Sequence, residues 1–214
     1  MNVCHRRALL TGLGSAAIAM VSPAWVAARE RAGAAGEIKR SSWYIGKIPD
    51  QPFDIRIVDK LKIPSQFHRQ SVTYTGDEAT GTLVIDKSRK FLFHVTGPGV
   101  AVRYGIAVGR AGARWQGSAV VGRKAKWPGW TPTERMRERD PSLPLHMPGG
   151  PRNPLGARAL YLYRNGRDTL YRIHGTNEPW SIGRAASSGC IRMLNEHIFE
   201  LYADVGIGTP VVVL

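Results

Sequence analysis

The segment Tyr171–Met193 reads YRIHGTNEPWSIGRAASSGCIRM, and it decides how the rest of the chain is interpreted. It begins with a short apolar run typical of a β-strand, and His174 stands directly after that run. The small residues Ser187–Gly189 then predict a tight turn, and Cys190 follows it. A cysteine is a good nucleophile only as the thiolate, and a nearby imidazole can accept its proton. The segment therefore predicts a nucleophile, Cys190, and its base, His174.

Two features of the turn suit acyl transfer. Backbone N–H groups around Ser187–Gly189 can point at a developing oxyanion, which is often the largest electrostatic contribution to such a reaction. If Cys190–Arg192 is extended, the side chains of Cys190 and Arg192 lie on one face of the strand. The guanidinium would then support the thiolate and bind a substrate carboxylate. The alternative is that Arg192 forms an ordinary ion pair with an acid such as Glu196.

Each member of the pair also has a purely structural interpretation. A buried, inert cysteine and a histidine at a sheet edge are both common in proteins, and only their pairing favours catalysis. A metal site built from His174, Cys190 and His197 would lack a fourth close-spaced ligand. The other histidines have no comparable context, and we interpret them as structural.

The sequence upstream of this segment is typical of a sheet. Thr82–Asp86 and Lys90–Val95 are β-rich runs joined by a polar turn, which predicts a hairpin. Val100–Val108 alternates well enough for a third strand, with Gly105 as a candidate bulge. Val120–Lys124 is expected to continue the same sheet.

A second hairpin positions the histidine. Ala159–Tyr163 and Thr169–Ile173 flank Asn165-Gly166, a strong turn pair, so His174 is expected at a strand end. Further on, Asn195–Tyr202 predicts a helix with Asn195 as its cap.

The remaining elements are a closing strand, a short helix and a long loop. The continuous apolar run Thr209–Leu214 predicts a buried strand. Pro132 and the polar residues Thr133–Arg139 predict a short helix. The loop Pro141–Gly156 is rich in Pro and Gly, and loops of this length are usually functional. We interpret it as a lid or groove wall, with a plain surface loop as the alternative.

The N-terminus has the three-part layout of a secretory signal peptide, which we assign to residues 1–28. Its apolar stretch Ala8–Val21 is too short to span a bilayer, so no stable membrane anchor is expected. The pair Arg6-Arg7 leaves both a twin-arginine signal and an ordinary charged region open. Residues 29–78 are expected to form a leader and an extended strap, and residues 79–214 the catalytic domain.

Composition limits the classes of partner. The 214 residues carry a formal charge of +14, yet the basic residues are scattered and no nucleic-acid-binding motif is present. Export also argues against nucleic acid. The charge suits an anionic polymer or membrane outside the cytoplasm, in the periplasm or cell wall, or simply a solvated surface. Removal of residues 1–28 would take away Cys4 and leave Cys190 as the sole cysteine.

These residues resemble the L,D-transpeptidase catalytic domain, the YkuD family. The family motif is a histidine followed by Ser/Thr-His-Gly-Cys with an Arg just beyond. His174-Gly175 and Ser187–Arg192 match it, and the likeness extends upstream to Gly81 and onward to Val213. Ser188 departs from the pattern, because the family usually has histidine there.

The resemblance implies a mostly β fold with short helices, a β-sandwich with the cysteine in a groove under a lid. It implies peptidoglycan as the partner and no cofactor. Cys190 would attack the carbonyl at the L-centre of the third stem residue and expel the terminal D-Ala. The thioester would then pass to an amine. His174 would move the protons.

The resemblance also implies roles for neighbouring residues. The Gly175 carbonyl would orient the imidazole, and the N–H groups of Gly189 and Cys190 would form the oxyanion hole. Ser188, Arg192 and Trp180 are expected to contact substrate.

Several rival functions stay open at this point. Water as acceptor would give an L,D-carboxypeptidase, and a protein lysine would give an enzyme that anchors a wall protein to peptidoglycan. A sortase-like enzyme also uses Cys, His and Arg, but with its Cys and His farther apart in sequence. A non-catalytic wall-binding module is the rival outside enzymes.

Overall fold

One β-sheet of eleven strands dominates the structure, a computed structural model that describes residues 41–109, 115–186 and 190–214. The predicted signal peptide, Arg29–Arg40 and the turn 187–189 lie outside the described residues. In chain order the strands are β1 (Tyr44–Ile48), β2 (Ile55–Val58), β3 (Gln70–Thr73), β4 (Leu83–Asp86), β5 (Phe91–Gly97), β6 (Val100–Gly105), β7 (Ala107–Gly109), β8 (Gly117–Lys126), β9 (Arg158–Arg164), β10 (Arg167–His174), β11 (Ala185–Ala186), β12 (Ile191–Arg192) and β13 (Pro210–Val213).

The closing strand β13 lies in the middle of the sheet and joins its two halves. The spatial order is β11-β7-β12-β10-β9-β8-β13-β4-β5-β6-β3, and β1 and β2 pair separately. β13 runs antiparallel to β8 and parallel to β4. Val211 and Val213 are buried, whereas Pro210 and Leu214 are exposed, so the predicted burial of this segment holds for one face of the strand only.

Both halves of the sheet bury side chains in the same core. Leu83, Ile85 and Leu92 from one half meet Leu160 and Ile173 from the other in a single cluster of buried residues. The sheet therefore curves around one core in the manner of a β-sandwich. The expected mostly β fold with short helices is confirmed.

Two α-helices accompany the sheet in the described part of the chain, α1 (Glu134–Arg139) and α2 (Asn195–Asp204). Ile198 and Leu201 of α2 are buried in the core cluster. None of the helices among residues 41–109, 115–186 and 190–214 is long and apolar enough to cross a membrane.

The predicted strand Val100–Val108 proves to be two strands. β6 pairs with β5 and β3, whereas β7 pairs with β12 and β11 on the other half of the sheet. The break falls at Ile106, whose side chain is fully buried in the core. Gly105 forms no bulge. A Cβ at this position would overlap Phe67, so glycine lets β6 pack closely against the 3₁₀ turn Ser65–Phe67.

Residues 41–78 are more regular than the extended strap that the sequence predicts. β1 and β2 form a hairpin, and short 3₁₀ turns follow at Lys60–Lys62 and Ser65–Phe67. β3 then adds to the edge of the main sheet beside β6. This segment packs with residues 79–214 in one compact unit.

Candidate active site

The pairing of β10 with β12 places the predicted site residues on one face of the sheet. The two strands are parallel, with Ile173 opposite Ile191 and His174 opposite Arg192. Both isoleucines are buried in the core. Because side chains alternate along a strand, His174 and Arg192 point to the other face. Cys190 precedes Arg192 by two residues and shares that face.

His174 ends β10 and is held as a neutral base. Its side chain is buried, and Nδ1 lies 2.6 Å from the carbonyl oxygen of Gly175. A carbonyl oxygen only accepts, so Nδ1 carries the proton and Nε2 keeps its lone pair. Burial lowers the pKa of His174 to about 3, and the charge of Arg192 acts in the same direction. The imidazole is therefore uncharged at neutral pH and able to accept a proton.

Main-chain hydrogen bonds fix the backbone on both sides of the imidazole. The Met193 N–H donates to the His174 carbonyl at 2.8 Å, and the Gly175 N–H donates to the Arg158 carbonyl at 3.0 Å. Gly156 has a φ of +64° and packs directly on Gly175. A Cβ on either glycine would overlap neighbouring atoms, so both positions require glycine.

Asn195 is not the helix cap that the sequence predicts. α2 is capped at Leu194 without a side-chain hydrogen bond, and Asn195 is the first residue of the helix. Its Oδ1 accepts the N–H groups of Ala157 at 3.0 Å and Thr176 at 3.1 Å. Its Nδ2 donates to the Thr176 carbonyl at 2.8 Å. Asn195 thus joins the two segments that enclose Gly175.

Arg192 forms an ion pair with Glu178 and not with Glu196, the acid that the sequence suggests. Its Nη1 lies 2.7 Å from Oε2 of Glu178, which is half-exposed. Glu196 is turned away and accepts the backbone N–H of Val58. The Arg192 side chain is mostly buried on the face that carries His174. Its guanidinium therefore lies beside His174 and is paired with Glu178.

Cys190 is partly exposed at the start of β12, and its thiol donates to the Leu170 carbonyl at 3.9 Å. Leu170 has a φ of +62° in an irregular part of β10, between Asp168 and Arg172. Burial raises the pKa of the Cys190 thiol, while the backbone N–H and charge of Arg172 lower it. In the resting site the thiol is therefore protonated and directed at Leu170.

Two of the predicted oxyanion and substrate residues, Gly189 and Ser188, lie outside the described residues. Trp180 lies in a short 3₁₀ turn that follows the site, and its ring meets Trp43 edge-on at 5.8 Å. Trp43 precedes β1, so the N-terminal hairpin supports this side of the site.

The loop Pro141–Gly156 is joined by hydrogen bonds to itself and to the segment that follows His174. Asn153 is buried, and its amide donates to the carbonyls of Met147 and Pro148. The Asn177 amide donates to the Arg152 carbonyl at 2.8 Å, which ties the loop to the segment after His174. Its role as a lid or groove wall stays a prediction.

Arg172, Leu170 and Asp50 also contact the site or its support, and the sequence alone did not single them out. Arg172 lies two residues before His174, so strand alternation already predicts that the two share a face. Neither the positive φ of Leu170 nor the distant contact of Asp50 leaves a signal in the local sequence. Within the described part of the chain, no group of three or more His, Cys, Asp or Glu is placed to hold a metal.

The chain belongs to the L,D-transpeptidase catalytic domain family, YkuD, whose family model matches residues 80–213. This range includes His174, Cys190 and Arg192, and it begins after the N-terminal hairpin.

Two relatives from Escherichia coli strain K12 are named as probable L,D-transpeptidases. YbiS is 35% identical over 160 residues, covering 71% of this chain and 48% of that protein. ErfK/SrfK is 42% identical over 115 residues, covering 51% of this chain and 36% of that protein. The chain therefore spans between about a third and a half of these relatives. A crystal structure from Brucella melitensis, named as a probable carnitine operon oxidoreductase, is 49% identical, covers 73% of this chain and 99% of that one, and has a TM-score of 0.49.

Proposed function

We propose that this protein is an exported cysteine transpeptidase that acts on peptidoglycan stem peptides and forms L,D cross-links during cell-wall biogenesis. The observation that carries the proposal is the state of His174. Its Nδ1–H donates to the Gly175 carbonyl, so its Nε2 keeps a lone pair that can accept a proton, on the face that carries Cys190. Membership of the family supplies the reaction class.

Acylation begins with the thiol of Cys190. Its hydrogen bond is to Leu170, so the side chain turns before the proton passes to Nε2 of His174. The sulfur attacks the carbonyl carbon at the L-centre of the third stem residue. The C–N bond to the terminal D-Ala breaks, and the leaving amine takes the proton from the imidazolium. The product is a thioester on Cys190.

Deacylation returns the enzyme to its starting state. An acceptor amine attacks the thioester carbon and gives its proton to His174, and the sulfur leaves and is reprotonated. The N–H groups of Gly189 and Cys190 would stabilise the oxyanion in both steps. Arg192, Ser188 and Trp180 would contact the stem peptide. Water or a protein lysine in place of the amine gives the carboxypeptidase or anchoring variants.

Export to the periplasm or cell wall is part of the same proposal. The layout of residues 1–28 and the formal charge of +14 support it, because the polymer is extracytoplasmic and anionic. The acceptor protein of the anchoring variant would meet the enzyme in that compartment.

The test is incubation of the mature protein with a disaccharide-tetrapeptide, followed by mass spectrometry. A cross-linked dimer is the expected product, whereas a tripeptide or a protein-linked product would assign the acceptor to water or lysine. Cys190→Ala is expected to lose the acyl-enzyme formed with a carbapenem and to keep its fold. A carbapenem adduct on this folded variant would contradict the proposal.

One observation favours a second candidate, a wall-binding module without turnover. Burial raises the pKa of the Cys190 thiol, as expected for an inert cysteine. Alkylation at neutral pH separates the two candidates: rapid labelling of Cys190 supports the enzyme, and no labelling together with retained peptidoglycan binding supports the module.

A further inference from the structure

A row of side chains crosses the sheet and ends at Cys190. In the strand register Arg123 of β8 lies opposite Tyr161 of β9, and Tyr161 lies opposite Arg172 of β10. Extending the parallel register of β10 and β12 by one residue brings Cys190 beside Arg172. Leu160, the neighbour of Tyr161, is buried in the core, so this row lies on the same outer face as His174.

Two guanidinium groups stack on the ring of Tyr161. The Cζ atom of Arg123 lies 3.4 Å from the Tyr161 ring centroid, and that of Arg172 lies 4.6 Å from it. Stacking on a ring holds the planar guanidinium in a fixed orientation and leaves its edge available for hydrogen bonds. Arg123 is exposed, so this end of the row opens to solvent.

The ion pair between Arg172 and Asp168 is weak, so another carboxylate can take the place of Asp168. Nη2 of Arg172 contacts one oxygen of Asp168 at 3.2 Å, and the two side chains are 19% and 30% exposed. A guanidinium binds carboxylates best through two parallel hydrogen bonds. A ligand carboxylate that arrives beside Cys190 is therefore able to displace Asp168 and make the better pair.

We propose that Arg172, with Arg123 across Tyr161, forms a carboxylate-binding subsite beside Cys190. Its ligand class is a peptide that bears a free carboxylate next to the carbonyl under attack. This ligand assignment rests on the function proposed above. Asp168 occupies the subsite when no substrate is bound, and Arg172 determines which donors are accepted.

Two alkylating reagents test the subsite without turnover. Iodoacetate and iodoacetamide both react by displacement of iodide by the thiolate, and they differ in one carboxylate. The ratio of their rates at Cys190, read by mass spectrometry of the peptide that contains it, cancels changes in thiol reactivity. Arg172→Met is expected to lower the iodoacetate-to-iodoacetamide ratio by about fivefold, the size of one partly exposed ion pair.

Three further variants sharpen this test. Asp168→Asn removes the competing carboxylate and is expected to raise the ratio, a gain that a misfolded protein would not give. Arg172→Lys keeps the charge and should retain most of the ratio. Arg56→Met is the matched control, because Arg56 also stacks on a tyrosine, Tyr44 at 5.2 Å, on the N-terminal hairpin. A ratio that Arg172→Met and Asp168→Asn both leave unchanged would overturn the subsite.

Stem peptides supplied as the free acid and as the amide test the ligand assignment. Arg172→Met should lower kcat/KM for the acid by roughly tenfold or more and spare the amide, because hydrogen bonds to charged groups are the stronger ones. Equal losses for both peptides would overturn the assignment to a donor carboxylate. If the wild type turns over neither peptide while its alkylation ratio responds to Arg172→Met, the proposed function fails and the subsite stands.

Discussion

The carboxylate of Asp50 lies 2.7 Å from the guanidinium of Arg158, directly behind the segment that holds the imidazole of the site. Arg158 is 2% exposed and Asp50 11%. The second oxygen of Asp50 accepts the indole N–H of Trp127 at 2.8 Å. The Arg158 carbonyl in turn accepts the Gly175 N–H. Asp50 therefore neutralises the buried charge of Arg158 next to the site, although it lies outside residues 80–213, the range that the family model matches.

Asp50→Ala is expected to destabilise the protein strongly. It leaves the buried guanidinium of Arg158 without a counter-charge, and breaking a buried ion pair from one side typically costs about 3–5 kcal/mol. Asp54→Ala is the matched control in the same hairpin, because Asp54 pairs with Lys47 at an exposed position. Solvent screens that exposed pair, so its loss should change stability far less than the loss of Asp50. Chemical denaturation gives the free energy of unfolding of both variants. Equal losses in the two would show that the buried pair of Asp50 and Arg158 does not stabilise the protein.

Asn195→Ala should cost stability and also disturb the catalytic base. The substitution leaves the N–H groups of Ala157 and Thr176 without their acceptor, and each unsatisfied buried group costs about 1–3 kcal/mol. Since these two segments enclose Gly175, the imidazole of His174 loses part of its support. Urea denaturation measures the first effect, and acylation at a temperature where the variant stays folded measures the second. Asn195→Asp keeps an acceptor oxygen and should retain more of both.

The local sequence predicts where His174 and Arg192 lie in the sheet, because short-range rules place them. The turn pair Asn165-Gly166 fixes the second hairpin, and His174 follows as the end of β10. Strand alternation puts Cys190 and Arg192 on one face, and the pairing of β12 with β10, which the sequence does not predict, brings Arg192 beside His174. The supporting contacts escape such rules. Asn195 has the sequence of a cap, yet contacts with Ala157 and Thr176 outweigh the local preference.

His174→Ala is expected to slow acylation of Cys190 by about 10²–10⁴-fold, the usual contribution of a general base. The reason is that Nε2, left with its lone pair because Nδ1–H donates to the Gly175 carbonyl, would accept the proton of the Cys190 thiol. Stopped-flow acylation by a carbapenem provides the rate. His68→Ala is a suitable control, since His68 lies in the N-terminal segment and its Nε2 contacts the carbonyl oxygens of Lys60 and Ile63. A variant with wild-type acylation kinetics would remove His174 from the mechanism.

The buried carboxyl group of Glu196 is expected to make the stability of the protein depend on pH. Oε1 of Glu196 accepts the Val58 N–H, and Oε2 is buried without a hydrogen-bond partner among the described residues. Burial raises the pKa of Glu196 from 4.5 to about 7. Between these two values the folded state binds more protons than the unfolded state, so stability falls as pH rises through this window.

Glu196→Gln should remove that loss, because glutamine resembles the protonated acid at every pH. The variant is expected to match the wild type near pH 4 and to exceed it above pH 7 by about 3 kcal/mol. Burial lowers the pKa values of His174 and His197, which makes stability fall as pH drops below their unfolded value of 6.5. Both proteins share that opposite effect, so it cancels in their difference. Urea denaturation at pH 4, 6 and 8 measures the difference, and a constant value across that range would show that Glu196 is ionised in the folded protein.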